Sequence, residues 1–306
     1  MVKLKLFGNK KTNPLSKSIC VYRGCGGYGD IINMRMIFQD IKKYYKEYSI
    51  DWCLPHSYFD AAQSHPFVDN IIGLQDYNKS KYKFVFDLTT ACTNYEWKKN
   101  IKNDKNRADI WAIHAGVRLS DSSTFMPVYK DLFDSIIVDL INLGWDKKKK
   151  IVVLCPYSAT EAKNMTSSQI LFIKDMVKDY FLVSLHNKQS EFLYKNKIPC
   201  ISNYTIKKSM SLIYISNFVI STDTGHLHCS GAYNKPSLGL FCYTNGNLIC
   251  KYYKSVVPVQ IENLDCGPCY LYTSCVKSQN IVKPCRTNIS LDQIKNSWQK
   301  LLNSNI

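Results

Sequence analysis

The sequence lacks any apolar run long enough to cross a membrane. A helix that spans a bilayer needs about 20 consecutive apolar residues, and no segment of this 306-residue chain approaches that length. The N-terminus is basic but lacks the continuous apolar core of a signal peptide. We therefore expect a cytoplasmic protein without a transmembrane segment.

Acidic residues are scarce relative to basic ones. Asp and Glu together number 24 against 40 Lys and Arg, which gives a formal net charge of +16. Such an excess is typical of proteins that act on an anionic partner: nucleic acid, acidic lipid, a phosphorylated glycan or a phosphate-rich small ligand. Because Lys, Asn, Ile and Tyr are frequent throughout the chain, a genome of low G+C content also accounts for part of this excess.

Strand and helix patterns alternate along the whole chain. Apolar runs predict strands over residues 18–23, 50–54, 70–72 and 84–88, then over 151–155, 181–185, 218–221 and 237–241. Repeated strand–helix units with short connections predict parallel sheets covered by helices. A polar break over residues 145–150 precedes the second series. The sequence thus predicts an α/β protein of two doubly wound domains, residues 1–148 and 149–306.

A glycine-rich turn, GCGGYG, joins the first predicted strand to a predicted helix over residues 30–45. It matches the G-x-G-x-x-G pattern of dinucleotide sites, but the second strand does not end in the acidic residue that such sites use for the ribose. The Lys-Ser/Thr pair of a nucleotide P-loop is also absent. Asp30 follows the last glycine, where a carboxylate would repel a pyrophosphate. From the residues alone, Asp30 is either a helix cap or a general base in a cleft, with the glycines giving room for a substrate.

Two polar turns follow predicted strands in the second half. The strand over residues 218–221 ends in Asp-Thr-Gly, and a helical stretch with two histidines follows. Free N–H groups and the helix dipole favour an anion at such a helix start. The strand over residues 151–155 runs into hydroxyl residues and a lysine, which suit phosphate binding or an ordinary polar loop. We therefore expect the second half to bind a phosphorylated ligand.

In their order and spacing, these motifs resemble glycosyltransferase family 9, the bacterial heptosyltransferases that build the lipopolysaccharide inner core. The resemblance spans residues 19–289 and implies a GT-B fold, in which two Rossmann-like domains face each other across a cleft. The second domain would hold most of the nucleotide-sugar donor. The residues that carry the resemblance are Gly26, Gly27, Gly29 and Asp30 on the cleft loop, and Ser158, Ala159, Lys163, Asp223, Thr224, Gly225 and His228 on the donor side.

The resemblance also implies roles for these residues. Lys163 and the helix start at Thr224 would offset the charge of the donor diphosphate and of the leaving group, and His228 would donate to the same phosphates. Asp223 would bind a sugar hydroxyl or cap the helix. Asp30 would take the proton from the acceptor hydroxyl as it attacks the anomeric carbon, in a single displacement that inverts the configuration. Because no Asp-x-Asp motif stands beside these residues, we expect catalysis without a metal or other cofactor.

The resemblance leaves donor and acceptor open. Asn164-Met165 follows the lysine where the family usually has an aromatic residue, and Glu191 is the nearest candidate for an acidic residue after the next strand. A phosphorylated lipopolysaccharide core would make the enzyme peripheral at the inner membrane. Duplex DNA with a hydroxylated base, as in phages that glycosylate their genomes, also fits the charge, and a protein acceptor is a third alternative. Outside this class, a non-catalytic nucleotide or nucleic-acid binding module is compatible with the same motifs.

The chain has 13 cysteines, which we expect to be reduced in a cytosolic protein. The last four, in the pattern C-x2-C-x5-C-x9-C, are dense enough for a tetrahedral structural Zn or Fe site. Two disulfides or four free thiols are the alternatives. These four cysteines are Cys266, Cys269, Cys275 and Cys285.

Overall fold

The computed structural model of the chain describes residues 17–99, 103–186, 190–262, 264, 266–269, 275 and 284–304. The basic N-terminus and most of the cysteine-rich segment lie outside the described residues. Two parallel sheets with helices packed on them form the framework, so the predicted α/β class is confirmed. No helix in the described ranges combines the length and the apolarity that crossing a bilayer requires.

The first sheet has four parallel strands in the order β3-β2-β1-β4. Both neighbours of β1 follow it in the chain, so the strand order reverses beside β1. The carboxyl end next to such a reversal is where open α/β sheets bind ligands. The strands are β1 Ser18–Tyr22, β2 Ser49–Leu54, β3 Asn70–Gly73 and β4 Phe84–Asp87.

The helix predicted over residues 30–45 is divided in the structure. A 3-10 turn, Arg35–Ile37, separates two α-helices. Arg35 in this turn is fully buried, and its guanidinium donates hydrogen bonds to the carbonyls of Thr124, 2.6 Å away, and Ala61, 2.9 Å away. The α-helices of this half are α1 Tyr28–Met34, α2 Phe38–Tyr44, α3 Phe59–Ala62, α4 Ala91–Lys99 and α5 Arg107–His114.

The second sheet has six parallel strands in the order β10-β9-β8-β5-β6-β7. Its strand order reverses between β5 and β8, whose carboxyl ends therefore form the second expected binding edge. The strands are β5 Ile151–Cys155, β6 Phe181–Leu185, β7 Cys200–Ile201, β8 Phe218–Thr222, β9 Ser237–Leu240 and β10 Val256–Val259.

The remaining helices surround this second sheet. Ile136 and Leu140 of the first of them pack in one core with Val153 and Val183, so this helix lies against the second sheet although it precedes the boundary predicted after residue 148. The helices are α6 Phe133–Asn142, α7 Ser167–Met176, α8 Glu191–Lys195, α9 Ile206–Ile215, α10 Gly225–Ala232, α11 Gly246–Ile249, α12 Pro284–Thr287 and α13 Leu291–Asn303.

The two halves meet where α1 packs on α10. A Cβ atom added at Gly29 of α1 would lie 2.5 Å from Cδ2 of His228, and one added at Gly225 of α10 would lie 2.2 Å from Cδ1 of Tyr28. Both distances are far below van der Waals contact, so each helix needs a glycine where the other helix places a ring. The two glycines thus set how closely the two halves approach.

Candidate active site

Asp30 lies in the first turn of α1, where three donors reach its carboxylate. Arg23 Nη2 lies 2.8 Å from Oδ2, the Gly27 backbone N–H donates to the same oxygen at 3.2 Å, and Arg107 Nη1 lies 2.6 Å from Oδ1. Burial alone would raise the pKa of Asp30, but Arg107, Arg23 and the Gly27 N–H hold it well below its usual range. Asp30 is therefore an ionised carboxylate whose bond to the Gly27 N–H has the geometry of a helix cap.

Arg23 ties this turn to the end of the neighbouring strand β4. Its Nη1 donates to the carbonyls of Leu88 and Thr89, at 2.7 and 2.6 Å. Gly26, at φ +137°, brings the backbone so close that an added Cβ would lie 2.6 Å from Nη2 of Arg23 and 2.9 Å from Oδ2 of Asp30. Gly26 is therefore needed for both its dihedral angle and this approach. Gly27, by contrast, precedes α1 with open space around its Cα.

The donor-side residues form a second charged group across the cleft. Lys163 Nζ lies 2.7 Å from Oδ2 of Asp223, Thr244 donates to that same oxygen at 2.9 Å, and Nε2 of His228 lies 4.0 Å from Oδ1. Burial would raise the pKa of Asp223, but Lys163 and His228 keep it below its ordinary value. The side chain of Asp223 is held by a lysine and a hydroxyl, and Thr224 is the residue that precedes α10. Asp223 is thus the partner of Lys163 and does not cap the helix.

The start of α10 faces the same space. Thr224, Gly225 and His226 of its first turn line the cleft, and the first N–H groups of a helix have no acceptor within the helix itself. The Thr224 hydroxyl is hydrogen bonded to Ser221, 3.1 Å away, and does not cap these N–H groups. This is the arrangement that binds phosphate in many proteins.

Burial lowers the pKa of both histidines of α10. That of His226 falls to about 4, with the nearby His186 as a second cause. For His228, the carboxylates of Asp223 and Asp30 oppose the effect of burial without reversing it. Both imidazoles are therefore neutral at pH 7 in the free protein, and each offers one N–H donor and one acceptor nitrogen.

All eleven residues that the sequence predicts for the loop and the donor side line one cleft of about 950 Å³. Ser158 and Ala159 follow β5, near Tyr157, whose ring meets His186 edge-on with 4.7 Å between ring centroids. Glu191 is elsewhere, exposed on α8 and paired with Lys195 at 2.7 Å. The structure therefore brings the loop and donor-side motifs together.

Other residues of the cleft were not predicted. Arg23 and Arg107 pair with Asp30, Glu96 pairs with Arg107, and Thr244 donates to Asp223. Arg107 lies 77 residues from Asp30 along the chain, and this separation gives no signal that the two side chains meet. Because buried charges in proteins are usually paired, the sequence could predict only that each buried carboxylate has a positively charged partner, and not which residue that partner is.

The C-terminal cysteines lie beside the second sheet. Cys285 is buried in a small apolar cluster with Cys242 and Ala162, against which Cys269 packs. The Cys285 thiol donates to Cys242 and lowers the pKa of Cys242. Within the described residues, no group of three or more His, Cys, Asp or Glu side chains is arranged to hold a metal ion. Much of the intervening chain is outside the described residues, and the metal site stays a prediction.

The chain has two parallel sheets, and the strand order of each sheet reverses next to the cleft that the two halves share. This arrangement is that of the GT-B class of glycosyltransferase folds. Structures of that class match the chain over nearly its full length. A family 9 glycosyltransferase from Veillonella parvula DSM 2008 has a TM-score of 0.71 at 13% identity, covering 94% of this chain and 97% of its own. ADP-heptose lipopolysaccharide heptosyltransferase II of E. coli matches with a TM-score of 0.67 at 12% sequence identity. The match covers 94% of this chain and 99% of the E. coli chain. The predicted GT-B fold is confirmed.

The chain resembles glycosyltransferase family 9 in sequence as well. The family model, described as glycosyltransferase family 9 (heptosyltransferase), matches residues 196–279, which include the Asp-Thr-Gly turn. TibC of enterotoxigenic E. coli H10407, an iron-containing dodecameric glycosyltransferase, is a further structural match, with a TM-score of 0.70 at 12% identity, covering 94% of this chain and 76% of its own. A search of curated protein sequences finds no match. The predicted resemblance to the heptosyltransferase-like glycosyltransferases of family 9 is confirmed.

Proposed function

We propose that the protein is an inverting glycosyltransferase that moves a sugar from a nucleoside diphosphate sugar to a hydroxyl of an anionic acceptor. One observation carries the proposal. An ionised carboxylate, Asp30, and a lysine beside a helix start, Lys163 and α10, line opposite walls of one cleft. The first group can accept a proton, and the second can stabilise a departing diphosphate.

The reaction needs three coordinated changes. The acceptor oxygen forms a bond to the anomeric carbon while its proton passes to Asp30. The bond between that carbon and the diphosphate oxygen breaks, and the diphosphate leaves with the electron pair. Lys163, the N–H groups of α10 and the neutral His228 stabilise the charge that grows on this oxygen. Because the acceptor attacks from the wall opposite the leaving group, the anomeric configuration inverts.

Asp223 keeps Lys163 in place for this role. A bare carboxylate beside a diphosphate would repel it, but the charge of Asp223 is offset by Lys163 at 2.7 Å and its oxygen accepts from Thr244. Lys163 can donate to a phosphate oxygen while it stays paired, since an ammonium group has three N–H donors. We propose that these groups, and not a divalent cation, carry the diphosphate charge. Full activity in EDTA supports this, and a requirement for Mg²⁺ or Mn²⁺ contradicts it.

A thermal-shift screen identifies the donor. ADP-, UDP-, GDP- and CMP-sugars are compared, and a true donor raises the melting temperature because it binds the folded state alone. ADP-heptose belongs in this screen, since TibC has been crystallised with ADP-D-β-D-heptose. No stabilisation by any of these nucleotide sugars would contradict the proposed function.

The Asp30→Asn variant then tests the mechanism. Asparagine keeps the size of the side chain but cannot take the proton, so we expect kcat to fall by about 10²- to 10⁴-fold with the donor still bound. Asp175→Asn, an exposed position on α7, is the matched control and should leave kcat unchanged. Undiminished turnover by the Asp30 variant would make Asp30 a helix cap only. Donor binding without transfer by the wild type would favour the alternative of a non-catalytic module.

The acceptor is proposed from charge. The net charge of +16 fits a phosphorylated lipopolysaccharide core, which would bring the protein to the membrane surface, and it also fits duplex DNA. Binding to DNA weakens steeply with salt because condensed counterions are released. Absence of duplex binding even at low salt would eliminate the DNA alternative, whereas transfer to a dephosphorylated glycan at the full rate would eliminate an anionic acceptor.

A further inference from the structure

Asp30 belongs to a chain of ion pairs that runs from Arg23 through Asp30 and Arg107 to Glu96. Arg107 at the start of α5 donates through Nη1 to Asp30 Oδ1 at 2.6 Å, and through Nε and Nη2 to the two oxygens of Glu96 on α4, both at 2.7 Å. The Glu96 side chain is 3% exposed, against 26% for Arg107. The Arg107 guanidinium thus lies between the carboxylates of Glu96 and Asp30, and both of these residues line the cleft.

We infer that Arg107 and Glu96 form a clamp that positions the Asp30 carboxylate for proton transfer, with Arg107 as the positioning residue and Glu96 as the anchor that orients it. The inference rests on the proposed function, which supplies the role of Asp30. A two-point contact between a guanidinium and a carboxylate fixes the plane of the guanidinium. Glu96 therefore determines where Nη1 of Arg107 points, and Nη1 determines where Oδ1 of Asp30 stays.

The hydrogen bonds of Asp30 identify the oxygen that reacts. Oδ2 accepts from both Arg23 and the Gly27 N–H, whereas Oδ1 accepts from Arg107. Each carboxylate oxygen has about two lone-pair positions, so Oδ1 keeps one for the acceptor hydroxyl. The proton that leaves the hydroxyl oxygen therefore goes to Oδ1. Movement of Arg107 would break its hydrogen bond to Oδ1, and Oδ1 would no longer be aligned with the acceptor hydroxyl.

The charges around Asp30 also favour release of the proton after each turnover. Two guanidiniums balance two carboxylates while Asp30 is ionised, and protonation of Asp30 leaves one positive charge in excess. The proton then passes to water, which restores the base. The titratable and charged groups around Asp30 are Arg23 at the end of β1, Glu96 of α4, Arg107 of α5, His228 of α10, and the nearby Tyr58 and Cys92.

The start of α5 is hydrogen bonded to the other half of the molecule. Asn106 precedes Arg107, and its side-chain oxygen accepts from the N–H of Ala108 at 2.8 Å, capping the helix. The side-chain nitrogen of Asn106 donates to the carbonyls of Leu248 and Ile249, at 2.7 and 3.1 Å. The backbone that carries Arg107 is therefore fixed to α11, on the donor-binding half.

Chemical rescue tests the clamp. In Arg107→Ala, two carboxylates face a gap of guanidinium shape, and we expect kcat to fall by about 10- to 100-fold with the KM for the donor nearly unchanged. Millimolar guanidinium should restore at least about a tenth of the lost rate, since positioning rather than covalent chemistry was removed. Equal concentrations of NaCl or urea should not. Arg118→Ala, an exposed arginine, is the matched control and should behave as wild type.

Two further readouts separate positioning from a purely structural role. Guanidinium should raise the melting temperature of Arg107→Ala but not that of the Arg107→Ala, Glu96→Gln double variant, because its binding site needs both carboxylates. Arg107→Gln removes a positive charge beside Asp30, so the acid limb of the kcat profile should move upward by about 1–3 pH units. Glu96→Gln should lower kcat and should not move the limb upward.

The outcomes distinguish this inference from the proposed function. If the wild type transfers sugar but Arg107→Ala keeps full kcat, or guanidinium restores no more activity than NaCl, the clamp is refuted and the glycosyltransferase stands. If the wild type transfers no sugar from any donor of the screen, the proposed function is refuted, together with the role of the clamp in it. The thermal readout still reports in that case whether guanidinium occupies the gap.

Discussion

The ion pair between Lys163 and Asp223 predicts that substitutions can change the stability of the fold and the affinity for the donor independently. Lys163 Nζ lies 2.7 Å from Asp223 Oδ2, and the two side chains are only 15% and 6% exposed, so solvent screens the pair weakly. Lys163→Met keeps the aliphatic length of the side chain but leaves Asp223 charged and buried without its lysine, with Thr244 still donating to Oδ2 and His228 still 4.0 Å from Oδ1. Breaking one side of a buried pair costs about 3–5 kcal/mol. At about 2–4 °C per kcal/mol for domains of this size, the melting temperature should fall by roughly 6–20 °C.

A second substitution in the same background separates the two roles. In the Lys163→Met, Asp223→Asn double variant, no charge is left unpaired, and an asparagine oxygen can still accept from Thr244. We therefore expect most of the lost stability to return, while affinity for the nucleoside diphosphate stays low because the lysine is missing. Differential scanning calorimetry measures the first quantity, and titration with the nucleotide that stabilises the wild type most measures the second. A single variant that melts within about 1 °C of wild type, or a double variant with normal affinity, would refute the reasoning.

Three further predictions address packing, pH and metal. Gly225→Ala should lower the free energy of unfolding, measured by urea titration, by about 1–3 kcal/mol because the added methyl group overpacks the helix contact. Gly27→Ala should lower it by less, because its added Cβ meets nothing within 4 Å. Equal losses in the two variants would contradict this prediction. His65 and His226 have pKa values lowered by burial to about 3 and about 4, so they stay neutral when folded while the unfolded chain binds protons below about pH 6.5. The free energy of unfolding should therefore fall with decreasing pH from about 6.5 toward 4, by up to about 1.4 kcal/mol per pH unit for each histidine. A Gln variant of either histidine should flatten this slope, and an unchanged slope in both variants would contradict the prediction. Metal analysis of freshly purified protein tests the C-terminal cysteines, and less than about a tenth of an equivalent of Zn or Fe would exclude a structural site there.

The strand–helix alternation and the cleft motifs could be predicted from the sequence because they depend on local patterns. Apolar runs such as Ile151–Cys155 and Phe218–Thr222 are buried strands in the structure. The polar turns at their ends face the cleft because parallel strands all end on the same edge of a sheet. The family resemblance then implied that Asp30 and Lys163, which follow strands of different sheets, lie on one cleft, without knowledge of their partners.

What escaped prediction depends on contacts distant in sequence. Helix α4 has few apolar residues and no clear amphipathic pattern in Ala91–Lys99, so periodicity gives no signal for it, although it supplies Glu96. The 3-10 turn at Arg35 lies inside a continuous apolar pattern, and its tightening accompanies contacts with residues 26 and 89 positions away. The ion-pair partners of Asp30 are identified only when the chain is folded.

The reciprocal contact of Gly29 with His228 and of Gly225 with Tyr28 has a mechanical consequence. Points near the axis of a rotation move least, and at this contact α1 and α10 approach too closely to admit a Cβ atom on either glycine. If one half of the molecule rotates against the other about this contact, the mouth of the cleft widens while Asp30 stays near His228. Substrates could then enter and leave without separating the proton acceptor from the phosphate-binding wall. The contact at the two glycines would then lie on the axis of the hinge between the halves, and a bulkier side chain at either glycine would move that axis.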